Sequence, residues 1–237
     1  MFEACVNEAD LPPPVYTVAD DDILRGLSPE QREQLERKIK YIDYPAGHLF
    51  YAPDDDGERV YLLRQGRVRI YKLSLEGRAL TLMLLEPESI FGEMAISDEW
   101  HHDSFAEAMT NCHVGVLSRA DLRRVIGSSP TLALRFMEMM STRLRAMERK
   151  LADITFKSVP QRLATVLLSL ARSTTLNDHT SPTIVRYTHN QLAEMIGSYR
   201  ETVTKTIGEF REAGLIRVEE EAIILTDIPR LRAMVGR

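Results

Sequence analysis

The densest cluster of chemistry-bearing side chains lies between Thr188 and Leu215. Arg200, Glu201, Thr204 and Lys205 stand at i, i+1, i+4 and i+5, which places them on one helix face near its N-terminal end. Val203, Ile207 and Phe210 recur at i, i+4 and i+7 on the opposite face. Such a helix can enter the major groove of DNA with its N-terminal end forward. Arginine offers a bidentate fork to guanine, and a carboxylate accepts from the cytosine amino group. A solvated charge pattern on an ordinary surface helix has the same spacing, so the surrounding elements decide.

Those elements have the order of a winged helix-turn-helix. A helix is expected from Gln161 to about Ser173, after Val159-Pro160 and before a polar loop at 173–181. Thr188 is placed to cap a short helix over Asn190–Ile196, with Leu192, Ala193 and Ile196 inward. Gly197-Ser198 forms the turn, and a second helix is expected over Tyr199–Ala213. Two short β-like runs, Leu215–Val218 and Ala222–Thr226, then flank Glu219-Glu220-Glu221. In this frame Arg200, Glu201 and Lys205 are the candidate base readers.

Upstream, glycines at 47, 57, 66, 77 and 92 separate runs with two-residue alternation: His48–Ala52, Arg59–Leu63, Arg67–Leu73, Ala79–Leu85, Ser104–Thr110 and His113–Ser118. Short strands at regular turn spacing predict an antiparallel sandwich, roll or barrel. A short helix opening at Ser28-Pro29-Glu30 and running to about Lys40 precedes them, and residues 1–20, acidic and proline-rich, read as a mobile arm.

Between roll and winged helix, Ser129-Pro130 starts a long helix. Ala133, Met137, Met140, Leu144, Met147, Leu151 and Ile154 are spaced 4, 3, 4, 3, 4, 3 along it. This narrow two-position stripe fits a two-stranded seam, with Arg143, Arg145, Glu148, Arg149 and Lys150 expected on the outer positions. Packing against its own domain is the competing reading of the stripe.

The expected organisation is therefore an arm at 1–20, a β-roll at 21–128, a dimerisation helix at 129–156 and a winged helix-turn-helix at 157–237. The class is α+β.

Composition bears on function only after it is divided. The 237 residues carry 30 Lys+Arg against 35 Asp+Glu, a net charge of −5 that argues against a nucleic-acid partner. Residues 157–237 hold 11 basic and 9 acidic side chains, leaving 19 and 26 before them, so the acidity belongs to the N-terminal part. No apolar run approaches a bilayer span and no signal peptide is recognisable, so a cytoplasmic protein without membrane attachment is expected. Cys5 and Cys112 cannot build a disulfide framework or a four-thiolate site. His101-His102 with Asp103 reads as loop surface rather than a metal site, and Cys112-His113 point to opposite faces of a strand. No Ser-His-Asp order, phosphate loop or H-E-x-x-H supports catalysis, so no enzyme is expected.

Taken together, Tyr44-Pro45-Ala46-Gly47, Gly66, Gly77, Phe91-Gly92-Glu93, the long helix, Arg162-Leu163-Ala164 and the run Ile196-Gly197-Ser198-Tyr199-Arg200-Glu201-Thr202-Val203 resemble the cyclic-AMP receptor protein and fumarate-nitrate regulator (CRP/FNR) family of bacterial transcription factors. The resemblance spans about residues 20–230. It implies a cyclic-nucleotide-binding-like β-roll, a dimerising central helix with Met137, Met140, Leu144, Met147, Leu151 and Ile154 in the interface, and a winged helix on double-stranded DNA. It also implies RNA polymerase as a partner.

In the receptor-protein branch, Arg-Glu-Thr-Val-x-Arg reads TGTGA half-sites of a TGTGA/TCACA palindrome; here Arg200 and Glu201 match and Lys205 replaces the last arginine. Thr188, Asn190, Ser198, Tyr199, Thr202 and Thr204 fall at phosphate-contacting or adjacent places. The acidic Glu219–Glu221 wing departs from a phosphate-contacting wing.

The same resemblance makes Gly92, Glu93, Asp103, Ser104, Met147 and Glu148 the candidate effector pocket. The arginine that would neutralise a cyclic phosphate is absent, with Asp103 at or beside its place, and by ungapped matching Met147-Glu148 fall where a hydroxyl pair faces adenine. Cyclic AMP is therefore disfavoured, since a phosphate buried beside Asp103 without a cation is costly. The N-terminal cysteine cluster of the oxygen-sensing branch is missing too. A regulator gated by another small ligand, or by a cyclic nucleotide bound unusually, in the β-roll, and a β-roll interaction sensor that does not bind DNA, remain as alternatives.

Overall fold

The computed structural model describes residues 17–18, 27–93, 101–174, 183–185 and 187–236. Most of the predicted arm, residues 1–16 and 19–20, lies outside them, as does most of the loop at 173–181. Two compact units are present. One contains Leu73–Thr81 and Ala146–Arg237, and the other Val18–Lys72 and Leu82–Arg145.

The second unit is built mainly of antiparallel strands. After β1 (Thr17–Val18) and α1 (Pro29–Glu36) come β2 (Lys40–Tyr44), β3 (Leu49–Tyr51), β4 (Arg59–Gln65), β5 (Val68–Leu73), β6 (Ala79–Leu85), β7 (Ser89–Phe91), β8 (Phe105–Ala108) and β9 (Cys112–Ser118). They form a five-stranded sheet in the order β1-β6-β5-β8-β3 and a four-stranded sheet in the order β2-β9-β4-β7. The six predicted runs all appear within about two residues. Lys40–Tyr44 is strand rather than the end of the first helix, which stops at Glu36. Alternation in β5 buries Val68 and Ile70 while Arg69 stays partly exposed beside Glu107 of β8, at 2.9 Å.

The roll interior sets an aromatic group among aliphatic side chains such as Leu63, Val68, Ile70 and Leu85. Phe50, Tyr61 and Phe91 form one group, with Phe50 edge-on at 5.0 Å to Phe91 and Tyr61 stacked on Phe91 at 4.9 Å. Gly92 follows with φ +78, and a Cβ there would sit 2.9 Å from the Arg59 carbonyl and 3.2 Å from the Tyr61 ring. Glycine is thus required by both backbone and space.

Helix α2 (Arg119–Ser128) is capped by Ser118, whose hydroxyl accepts from the Asp121 amide. Leu122, Val125 and Ile126, at i, i+3 and i+4, supply its apolar face and join the core with Val60 and Leu117. The long helix α3 (Pro130–Phe156) has the expected start. Its buried stripe includes Leu132, Met139 and Ala146, while Met137, Leu144 and Leu151, seven residues apart, are 64%, 61% and 68% exposed. Met140, Met147 and Ile154 are half-buried. The expectation that Arg143 and Lys150 take outer positions is corrected: they are 4% and 3% exposed, because each finds buried oxygen acceptors.

The remaining elements are α4 (Val159–Thr174), β10 (Thr183–Val185), α5 (His189–Ile196), α6 (Arg200–Glu212), β11 (Ile216–Val218), β12 (Ala222–Leu225) and α7 (Ile228–Val235). Helix α4, apolar on most sides, packs against α5, α6 and α7. The wing is a three-stranded antiparallel sheet in the order β10-β12-β11. No helix among the described residues is long and apolar enough to cross a membrane.

Candidate nucleic-acid interface

The first helix of the motif is fixed by a reciprocal cap. Thr188 Oγ1 accepts from the Gln191 amide at 3.1 Å, and Gln191 Oε1 accepts from the Thr188 amide at 2.8 Å. Gly197 closes α5 in the left-handed region at φ 62 and ψ 49, a conformation nearly free of cost only for glycine. Leu192, Ala193 and Ile196 are buried as the spacing requires, and so are Val203, Ile207 and Phe210 of α6. Burial of that back face turns the opposite side of α6 outward. Arg200, Glu201, Thr202, Thr204 and Lys205 are all exposed, and so is Tyr199 just before them.

Hydrogen bonds order part of this face. Thr204 donates to the Arg200 carbonyl at 2.9 Å, and His189 Nδ1 lies 2.8 Å from Thr204 Oγ1. With the hydroxyl proton committed to the carbonyl, Nδ1 must be the donor, which fixes the imidazole tautomer. His189 thus ties the start of α5 to the outer face of α6, a role the sequence signals only by its place beside the cap. Asn190 donates to Glu194 at 2.7 Å, and Ser198 is half-buried. Lys205 lies 3.8 Å from Glu209, an exposed pair of little energetic weight. At the wing tip Glu219, Glu220 and Glu221 are all exposed, and Glu219 meets Arg217 of β11 at 3.0 Å.

The candidate effector residues are treated differently by the fold. Gly92, Glu93 and Ser104 are buried. Glu93 is committed to an ion pair: Arg143 Nη1 lies 2.7 Å from its carboxylate, and Arg143 Nη2 donates to the Ile90 carbonyl at 2.5 Å. Sequence reasoning misses Arg143, which stands beside the apolar seam and looks like a surface charge. Asp103 is exposed and paired with Lys72 at 2.9 Å. His102, read from the sequence as loop surface, is instead buried and stacked on Tyr51 with ring centroids 3.6 Å apart. Burial lowers the His102 pKa and favours the neutral ring, and burial raises that of the Tyr51 phenol. On α3, Met147 is half-buried and Glu148 exposed. No group of three or more His, Cys, Asp or Glu among the described residues could hold a metal ion.

Comparison with known proteins agrees with this architecture. A Crp-like helix-turn-helix domain model matches residues 161–234, and a cyclic nucleotide-binding domain model matches 41–129. A CRP-like cAMP-activated global transcriptional regulator of Mycobacterium tuberculosis is 30% identical over 213 residues, covering 88% of this chain and 94% of the relative. The crystal structure of a CRP/FNR-family transcriptional regulator from Thermus thermophilus is 31% identical, with a TM-score of 0.70 over 84% of this chain and 99% of that one. A CooA mutant from Carboxydothermus hydrogenoformans shares the fold at 22% identity, with a TM-score of 0.78 over 95% of this chain and 100% of that one. Roll, long helix, capped helix-turn-helix and wing, matched along nearly the whole chain by such relatives, place this protein in the CRP/FNR family of transcription regulators.

Proposed function

We propose that the protein is a homodimeric, sequence-specific regulator that recognises a TGTGA/TCACA-like palindrome without requiring cyclic AMP. One observation carries the reading: the exposed Arg200, Glu201 and Lys205 share the outer face of α6, whose back is locked into the domain by Val203, Ile207 and Phe210. Arg200 suits guanine and Glu201 suits the cytosine amino group. Lys205, lacking a planar fork, reads its base pair less strictly than arginine would. Thr188, Asn190, Ser198, Tyr199, Thr202 and Thr204 serve the backbone or flank those that do. The acidic wing stays off the phosphates, and Glu220→Lys raises affinity at low salt.

The exposed Met137, Leu144 and Leu151, with the half-buried Met140, Met147 and Ile154, form the seam with a second copy. Dimerisation sets two recognition helices about one DNA turn apart. In this reading the arm, roll, dimer helix and winged helix are 1–20, 21–128, 129–156 and 157–237.

Independence from cyclic AMP rests on the charge of the roll. The Mycobacterium relative is by name cAMP-activated. By the resemblance, Asp103 falls at or beside the place where the phosphate would need a cation; it is exposed and already takes up Lys72, and Arg143 is spent on Glu93. The match of the cyclic nucleotide-binding model over 41–129 favours, as a second reading, a regulator gated by a different small ligand in the roll.

Arg200→Ala tests the assignment. It should cost about 1–3 kcal/mol on the palindrome and relax preference at one base pair of each half-site. Equal loss on every sequence would make Arg200 a phosphate contact instead.

A further inference from the structure

The unit that carries the helix-turn-helix also contains the hairpin tip Leu73–Thr81 between β5 and β6. Three contacts fasten that tip to the helix-turn-helix. Lys150 Nζ donates to the Thr81 carbonyl and, at 3.1 Å, to the Met195 carbonyl in the last turn of α5. Leu80 lies against the turn, its Cδ1 3.4 Å from where a Gly197 Cβ would stand, with Ile154 Cδ1 at 4.0 Å. The Arg78 guanidinium lies over the Tyr199 ring, 4.7 Å from its centroid. Tyr199 immediately precedes Arg200 and Glu201, so a cation from outside the motif stands at the edge of the base-reading face.

Charge gives this placement a use. Residues 157–237 carry only two more basic than acidic side chains, and three of the acids stand together at the wing. Grip on the DNA backbone is electrostatic and needs cations near phosphate. Arg78 is exposed, and its ion-pair contact to Glu76, at 3.9 Å, is too solvated to hold it. Stacking on Tyr199 leaves the guanidinium edges available for a phosphate oxygen.

We propose that Arg78 is part of the DNA-backbone grip of this regulator, and that Lys150 is the positioning residue that holds its hairpin against the helix-turn-helix. The inference rests on the DNA-binding reading above. Lys150 acts from inside the fold. Of its own helix, Asp153 acts on it and is itself paired with Lys157 at 2.7 Å.

The test is anisotropy titration of the full-length protein with a TGTGA/TCACA duplex and a scrambled duplex over a range of salt. Arg78→Ala should weaken both several-fold and equally, and flatten the log K against log salt slope by about 0.9 per subunit. Lys150→Met should flatten the slope by the same amount, Lys150→Arg should restore it, and Arg78→Ala added to Lys150→Met should flatten it no further. An unchanged slope, tighter binding, or loss confined to one half-site sequence would overturn the assignment of Arg78. A full slope in Lys150→Met would overturn that of Lys150. Arg78 is exposed, so its variant folds and decides the first point by itself. Arg200→Ala relaxing specificity while Arg78→Ala changes nothing defeats this inference alone; wild-type protein that binds neither duplex defeats the DNA reading with it.

Discussion

Arg143 and Glu93 meet at 2.7 Å inside the roll, where both side chains are less than a tenth exposed. A pair so placed recovers its desolvation cost only while both members are present. Arg143→Met alone should therefore cost about 3–5 kcal/mol in urea unfolding by leaving the carboxylate uncompensated. Adding Glu93→Leu should recover most of that loss. A single variant as stable as wild type would mean that the pair does not hold the roll together.

The buried Lys150 gives stability a pH signature. Burial brings its pKa down from 10.5 to about 7, against a smaller opposing effect of Asp153. Between about pH 7 and 10.5 the unfolded chain binds a proton at this site that the folded chain does not, so unfolding free energy rises with pH across that window. The shift corresponds to roughly 5 kcal/mol over the whole window. Below pH 7 both states are protonated and the burial cost is fully present. Urea midpoints from about pH 6 to 10 should climb for wild type and climb much less for Lys150→Met; parallel curves would contradict the assignment.

The same two residues mark the boundary of what the sequence makes legible. The α6 face can be read because helical spacing alone separates Arg200 and Lys205 from Val203 and Phe210, and the structure keeps both faces. Strands announce themselves through alternation and turn glycines. Arg143 and Lys150 escape the pattern because a heptad assigns charges outward, whereas a carboxylate and backbone carbonyls from distant segments draw these two in. His102 escapes likewise, since its burial depends on Tyr51, far from it in the sequence.

The exposed apolar stripe on α3 is the proposed dimer seam and predicts assembly. Leu144 is 61% exposed at the middle of the stripe, between Met137 and Leu151. Leu144→Asp should convert a dimer into monomer by sedimentation velocity at micromolar concentration, and should abolish cooperative occupation of a palindrome. Thermal stability of the monomer's own fold should change little, because the side chain is already in water. A variant that remains dimeric would place the interface elsewhere.

The most direct measurement of the central claim is equilibrium binding of the full-length protein to a TGTGA/TCACA duplex and to a scrambled duplex of equal length at low salt, with and without cyclic AMP. The palindrome should be bound more tightly by at least about 10³-fold, the lower end of the usual specific-to-non-specific ratio, and cyclic AMP should leave both affinities unchanged. Equal affinity for the two duplexes, or preference that appears only when cyclic AMP is added, would contradict it.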